Sequence, residues 1–389
     1  MAEHGRAGPP RSLLVDARGL QMSGIGRYLR EVLAGVLADA RFGRVAVLGR
    51  PEEVAPFLQA NDPRGIGRTV AFPYAFYDPR VHARWAALSL AGRLRADLAF
   101  FPHYDVPLTH GAPPSVVTVQ DLSHWRLPEL FPAWKRRLGL VVLGRAVRRA
   151  ARVVVTSGAT RRDLLERFPH AERRLEVVPL GVGRDFAERP VDPAALARAR
   201  ALGPYLLCVG NRKPHKNLGA AVEALARLRA THPGLRLVLV GRHFPGEDAV
   251  RARAVALGVA DAVVEMGEAG EDDLRALYAC GECLLFPSLY EGFGLPVLEA
   301  MSLGLPVVAS DRASIPEVAG GAALIVDPLD AGAIAHAAGR VMREPGLRER
   351  LVSDGLRRAG ELTWARTAAA VCDLLARTAA APGASACAD

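Results

Sequence analysis

Between Cys283 and Val326 the chain reads CLLFPSLYEGFGLPVLEAMSLGLPVVASDRASIPEVAGGAALIV, and this stretch limits the available folds more than any other. Cys283 to Phe286 is a short apolar run, as expected of a parallel strand buried on both faces. A Pro-Ser-Leu-Tyr loop and the turn Gly292-Phe-Gly294 follow, and Leu295 to Leu303 is then helical in pattern. Glu291 therefore sits on the loop and Glu299 one turn inside the helix. The two glycines let the backbone approach a ligand, and the helix start behind them offers unpaired N–H groups and a positive dipole end, which suit a phosphate. Carboxylates accept hydrogen bonds from vicinal hydroxyls, so a ligand with both a diphosphate and polyols, a nucleotide sugar, satisfies the whole stretch. An ordinary βα turn with solvated glutamates is the simpler alternative.

With 389 residues the chain is long for one domain and comfortable for two of about 150 to 200 residues each. No apolar run reaches the ~18 residues of a membrane span, and the opening MAEHGRAGPPRS has no apolar signal core, so a cytoplasmic protein is expected. The five cysteines (208, 280, 283, 372 and 387) are odd in number and lie mostly in apolar runs, which argues against a disulfide framework. Cys280 and Cys283 form a C-x-x-C with no second Cys or His pair nearby, so a zinc or redox site is not expected. The net charge of +9 is unevenly spread. Residues 1–185 hold 28 Arg and Lys against 17 Asp and Glu, while residues 186–389 hold 22 against 24. A basic front half admits nucleic acid, an anionic membrane surface or an acidic substrate. Only three of the 50 cations are lysines, and two of those, Lys213 and Lys216, stand close together, which hints that a compact ammonium is wanted there.

In chain order, Ser12 to Ala17 is a first strand, the glycine loop Gly19 to Arg27 follows, and Tyr28 to Ala38 is an amphipathic helix. Further strands are expected at 44–48, 98–101, 115–119 and 152–156, with helical segments between them, the alternation of a parallel α/β sheet. Gln120, Asp121 and His124 follow the 115–119 strand, where ligands meet open α/β sheets. Residues 132–152 are expected as a helix headed by Trp134 and ending in arginines, which suits either contact with anionic lipid or ordinary packing with a favourable dipole. Residues 184–202 look like a charged connector. A second strand series starts at Tyr205 to Gly210, and the loop Asn211-Arg-Lys-Pro-His-Lys-Asn217 places three cations between a strand end and a helix start, an anion site. Strands are also expected at 235–240 and 262–266, and a last helix at 364–378.

The Glu291-x7-Glu299 pattern, the basic loop with Arg212 and Lys216, and the glycines at 24 and 26 together resemble the retaining glycosyltransferases of family 4, which have the GT-B fold. The resemblance implies an α/β protein of two Rossmann-like parallel-sheet domains facing across a cleft, with a C-terminal helix crossing back to the first. It divides the chain into residues 1–183 on the acceptor side, 184–362 binding the nucleotide sugar, 363–378 as the crossing helix and 379–389 as a tail. It assigns Arg212, Lys216 and Glu291 to catalysis and Gly24, Gly26, Glu268, Ala269, Phe293, Gly294, Leu295 and Glu299 to the donor. Gln120, Asp121 and His124 would contact acceptor or sugar, with Gln120 standing where the family usually has His. It further implies retention of configuration and a hexose donor, GDP-mannose ahead of UDP-hexose. No metal or other cofactor and no nucleic acid are expected, and the sequence has no D-x-D pair. The acceptor would be a glycan, glycolipid or small alcohol, with an anionic inner membrane face as a further partner. The alternatives are a GT-B epimerase and a non-catalytic protein binding sugar nucleotides or a membrane surface.

Overall fold

The computed structural model describes residues 10–107, 113–243 and 249–381. Its chain divides into two compact units, the first formed by residues 1–125, 131–179 and 364–389 and the second by 126–130 and 180–363. The division thus falls at Pro179, four residues before the boundary expected at Gly183.

The first unit holds seven parallel strands, β1 (Arg11–Asp16), β2 (Phe42–Gly49), β3 (Gly67–Ala71), β4 (Leu98–Phe101), β5 (Ser115–Val119), β6 (Arg152–Val155) and β7 (Leu175–Val177), in the order β3-β2-β1-β4-β5-β6-β7. Every residue of β4 and β5 is buried, which is why these strands read as unbroken apolar runs. The helix Gly24–Ala38 buries Tyr28, Leu29, Val32, Leu33, Val36 and Leu37 against the sheet. The helix Trp364–Ala380 also belongs to this unit. A Cβ on Gly35 would come within 2.9 Å of Ala368 Cβ, so the two helices meet at a glycine. Thr367 Oγ1 donates to the Pro179 carbonyl at 2.8 Å, and Arg377 pairs with Glu176 at 2.9 Å.

The second unit has six parallel strands, β8 (Tyr205–Val209), β9 (Arg236–Val240), β10 (Val263–Glu265), β11 (Cys283–Phe286), β12 (Val307–Ser310) and β13 (Leu324–Val326), in the order β10-β9-β8-β11-β12-β13. Both sheets therefore have the open, doubly wound topology in which strand order reverses beside the first strand, at β1/β4 and at β8/β11.

Four local expectations need correction. The helix expected over 132–152 is Ala133–Arg149, and Arg152 opens β6 instead of extending the basic helix end. The segment 184–202 is not a free connector: it forms the helices Arg184–Glu188 and Pro193–Arg200, and the buried Arg275 donates to the carbonyls of Phe186 at 2.8 Å and Pro190 at 3.2 Å. Gly24 and Gly26 lie in the first turn of their helix, not in a loop before it. Finally, the last helix runs on through Ala380, and residues 382–389 of the expected tail lie outside the described residues. Cys208, Cys280, Cys283 and Cys372 are free thiols, while Cys387 lies outside the described residues. Among the described residues no helix is long and apolar enough to cross a membrane.

Candidate active site

In the second unit the loops leaving β8 and β11, the neighbours at the strand-order reversal, carry Arg212, Lys216, Glu291, Phe293 and Gly294. Leu289 N–H donates to the His215 carbonyl at 2.7 Å and joins the two loops. Lys216 and Glu291 are thereby brought together, with Nζ donating to Oε1 at 2.6 Å and the side chains only 15% and 14% exposed. The ammonium also lies 5.2 Å from the centre of the Phe286 ring. Asn217, in the left-handed region at φ 52°, turns the chain into the helix Leu218–Arg229 and donates from Nδ2 to the Pro328 carbonyl at 2.7 Å.

Ser314 holds the glutamate loop from below. Its buried hydroxyl is shared between the carbonyls of Glu291 at 2.9 Å and Phe293 at 2.8 Å. Gly294, at φ 107°, makes the turn into the helix Leu295–Ser302, so the orphan N–H groups of that helix start lie next to Glu291 in the chain. Phe293 is buried and Leu295 half-buried. Glu299 lies on the buried face of the same helix, 6% exposed, and accepts from Tyr278 Oη at 2.9 Å.

Arg212 takes a different direction from Lys216. It forms an ion pair with Glu265 at the end of β10, and its backbone N–H donates to the Arg242 carbonyl at 3.1 Å. The two cations are thus each held by a separate carboxylate. The Arg212 Nε atom is buried with no hydrogen-bond partner. Glu268 is exposed, 3.9 Å from Arg242, and Ala269 beside it is half-buried. Gly241 N–H donates to the Gly267 carbonyl at 2.6 Å, and a Cβ on Gly241 would lie 2.1 Å from the Gly210 carbonyl oxygen. The ends of β8, β9 and β10 therefore meet backbone to backbone. Glu265, Ser314, Tyr278 and Gly241 were not anticipated as parts of this arrangement, although the Val-Gly endings at 209–210 and 240–241 carried a signal for the last.

In the first unit, Gly26 lacks the Cβ that would collide with the carbonyl oxygens of Leu20 at 2.6 Å and Gly19 at 2.8 Å, whereas Gly24 faces open space. Gly26 is therefore required for close backbone packing. At the end of β1 the buried Arg18 binds Asp16 at 2.7 Å and Asp105 at 3.1 Å. Burial pulls its pKa down, but Asp16 and Asp105 outweigh this and hold it above the ordinary value. Gln120 leaves β5 with its Nε2 buried and without a hydrogen-bond partner. Asp121 Oδ1 accepts from the N–H and Oγ of Ser123 at 3.0 and 2.8 Å. His124 sits in the short helix Ser123–Arg126, with Nδ1 3.2 Å from Tyr104 Oη.

The family described as Glycosyltransferase Family 4 matches residues 22–186, and that described as Glycosyl transferases group 1 matches residues 199–358. The chain is 31% identical over 268 residues to the O-antigen chain mannosyltransferase B of Escherichia coli, covering 68% of this chain and 70% of that protein. It is 35% identical over 302 residues to a D-inositol 3-phosphate glycosyltransferase of Acidothermus cellulolyticus, covering 74% and 64%, and 32% identical over 258 residues to an MMP alpha-(1->4)-mannosyltransferase of Mycolicibacterium hassiacum, covering 65% and 60%. Among solved structures, Anabaena HepE in complex with UDP and glucose superimposes with a TM-score of 0.75 at 18% identity over 94% of this chain and all of that one. Sucrose-phosphate synthase from Thermosynechococcus elongatus gives 0.73 at 20% identity over 94% and 98%. With its two doubly wound parallel sheets, matched along nearly their whole length, the chain belongs to the family 4 glycosyltransferases of GT-B fold.

Proposed function

We propose that the protein transfers a hexose, mannose favoured, from a nucleotide-diphosphate sugar to an acceptor hydroxyl, with retention of configuration and without a metal. The observation that carries this is the Lys216–Glu291 pair at the β8/β11 reversal, beside the start of the Leu295–Ser302 helix. Departure of a nucleoside diphosphate builds charge on its β-phosphate, so an ammonium and helix N–H groups aimed there stabilise the transition state more than the ground state. Glu291 then serves two ends: it orients Lys216 and accepts from sugar hydroxyls. Arg212, with its partnerless Nε, is the second cation for the diphosphate, and Glu299 receives the ribose hydroxyls. The preference for mannose follows the relatives named as mannosyltransferases. The test is release of GDP or UDP from a panel of sugar nucleotides, with and without acceptor and with EDTA. Acceptor-dependent, EDTA-insensitive release supports transfer. Nucleotide binding without turnover on any acceptor favours a binding protein of the same fold, and acceptor-independent isomerisation of the sugar favours an epimerase.

One surface feature adds a location. On the helix Ala133–Arg149, Trp134, Leu138 and Val141 are 62%, 45% and 63% exposed at i, i+4 and i+7, with exposed Lys135, Arg137, Arg148 and Arg149 along the same helix. Exposed apolar side chains within a basic helix suit an anionic bilayer surface, and we place the protein peripherally on such a face. Flotation with phosphatidylglycerol vesicles, weakened by Trp134→Ala, tests this; flotation unchanged by the substitution argues against it.

A further inference from the structure

Beyond the donor-side groups, the ends of β3, β4 and β5 gather a cluster in the first unit centred on His103. Its imidazole is stacked between Phe76 and Tyr104, with centroid distances of 4.5 and 4.3 Å and interplanar angles of 28° and 26°. Tyr77 stands edge-on to it at 6.2 Å. With both faces covered, only the ring edge can meet a ligand. Nδ1 accepts from Asp105 N–H at 3.0 Å, which places the proton of the neutral ring on Nε2. Burial lowers the imidazole pKa to about 4, with Asp121 the strongest opposing charge, so near neutral pH the ring is an uncharged donor.

Three further observations surround it. Tyr77 is held at φ 64°, a left-handed conformation costly for a bulky side chain, by donation of its N–H to Asp105 Oδ2 at 2.8 Å. Phe101 pairs with Val117, so His103 and Gln120 emerge two and three residues beyond matched positions on adjacent strands, and the buried Gln120 Nε2 also lacks a partner. Asp105 follows β4, Asp121 follows β5 and Asp16 ends the neighbouring β1, and the Arg18 guanidinium there is already engaged by Asp16 and Asp105.

We propose that His103 Nε2–H, with Gln120 and Asp121, binds hydroxyls of the acceptor, and that the acceptor portion held here is an uncharged sugar or polyol rather than a phosphorylated one. This rests on the transfer reading above. A hydroxyl both donates and accepts, so two neutral donors and a carboxylate match it, whereas a phosphate would meet an excess of negative charge.

The test is steady-state kinetics of the full chain with mono- and disaccharides and myo-inositol as acceptors, each beside its monophosphate. His103→Phe keeps the aromatic stack and deletes the donor. We expect the acceptor KM to rise about tenfold, as loss of one hydrogen bond does, with the donor KM within about twofold of wild type and partial recovery in His103→Gln. Gln120→Leu should give the same split, and it carries the test if His103→Phe does not fold. An unchanged acceptor KM in both variants, preference for the phosphorylated acceptors, or turnover with none of the uncharged ones overturns the proposal and leaves transfer itself standing. Absence of nucleotide release from every donor in the wild type removes the transfer reading, and this inference falls with it.

Discussion

Replacing Lys216 by alanine separates chemistry from folding, because the ammonium has two partners to lose. One is Glu291, 2.6 Å away in a site where both side chains are about 85% covered. Such a pair lies between an exposed ion pair, worth ~0–1 kcal/mol, and a buried one whose disruption costs ~3–5 kcal/mol, so a loss of about 1–3 kcal/mol is expected. For a unit of this size that is a drop in Tm of roughly 2–10 °C. On the proposed mechanism the other partner is the leaving diphosphate. Loss of a transition-state charge contact lowers kcat by ~10²–10³, or about 2.7–4 kcal/mol. The double variant Lys216→Ala/Glu291→Gln distinguishes the two, since it removes the uncompensated carboxylate. Its Tm should recover most of the way to wild type, while nucleotide release measured well below Tm stays at least a hundredfold down. Recovery of kcat together with Tm, or a wild-type kcat in Lys216→Ala alone, would show that Lys216 only holds the loop and would refute the mechanism.

Ser314→Ala removes the hydroxyl shared by the Glu291 and Phe293 carbonyls; we expect about 1–3 kcal/mol lower stability in urea titration and a several-fold lower kcat, with a shift in neither arguing that the loop is held by other contacts. Gly241→Ala, at φ 140° with its new Cβ 2.1 Å from the Gly210 carbonyl oxygen, should lower Tm by more than 5 °C or prevent folding, and an unchanged Tm contradicts the close backbone contact. The third concerns pH: the folded His103 pKa of about 4 lies below its ordinary 6.5, so the unfolded chain binds the proton first as pH falls. Its contribution is therefore present above pH ~6.5 and lost towards pH 4, by up to ~3 kcal/mol. Asp121 and Asp16 on one side and Arg18 and His124 on the other are the charges acting on the ring. Urea midpoints between pH 7 and 5 should fall less steeply in His103→Phe than in wild type.

The βα units at 205–217 and 283–303 could be read from sequence because their strands are covered on both faces and end in glycine or a polar loop. The edge strand β3, GRTVA, buries only Val70, so no comparable apolar run marks it. Gly24 and Gly26 suggested a loop because the sequence does not show that Gly26 is required by the backbone at 19–20. The ion pair of Arg212 with Glu265 spans 53 residues and joins the ends of strands two places apart in the sheet, an adjacency set by strand order and by nothing local. The His103 cluster has a similar cause: its rings come from two separate strand ends, after β3 and after β4.

Isothermal titration of GDP and UDP into the full chain and into Arg212→Ala and Lys216→Ala variants tests the diphosphate site most directly. One nucleotide should bind the wild type at a single site, and each variant should bind it at least tenfold more weakly while retaining its fold. Equal affinity in all three proteins, or binding of neither nucleotide to the wild type, would contradict the placement of the diphosphate at the β8/β11 loops.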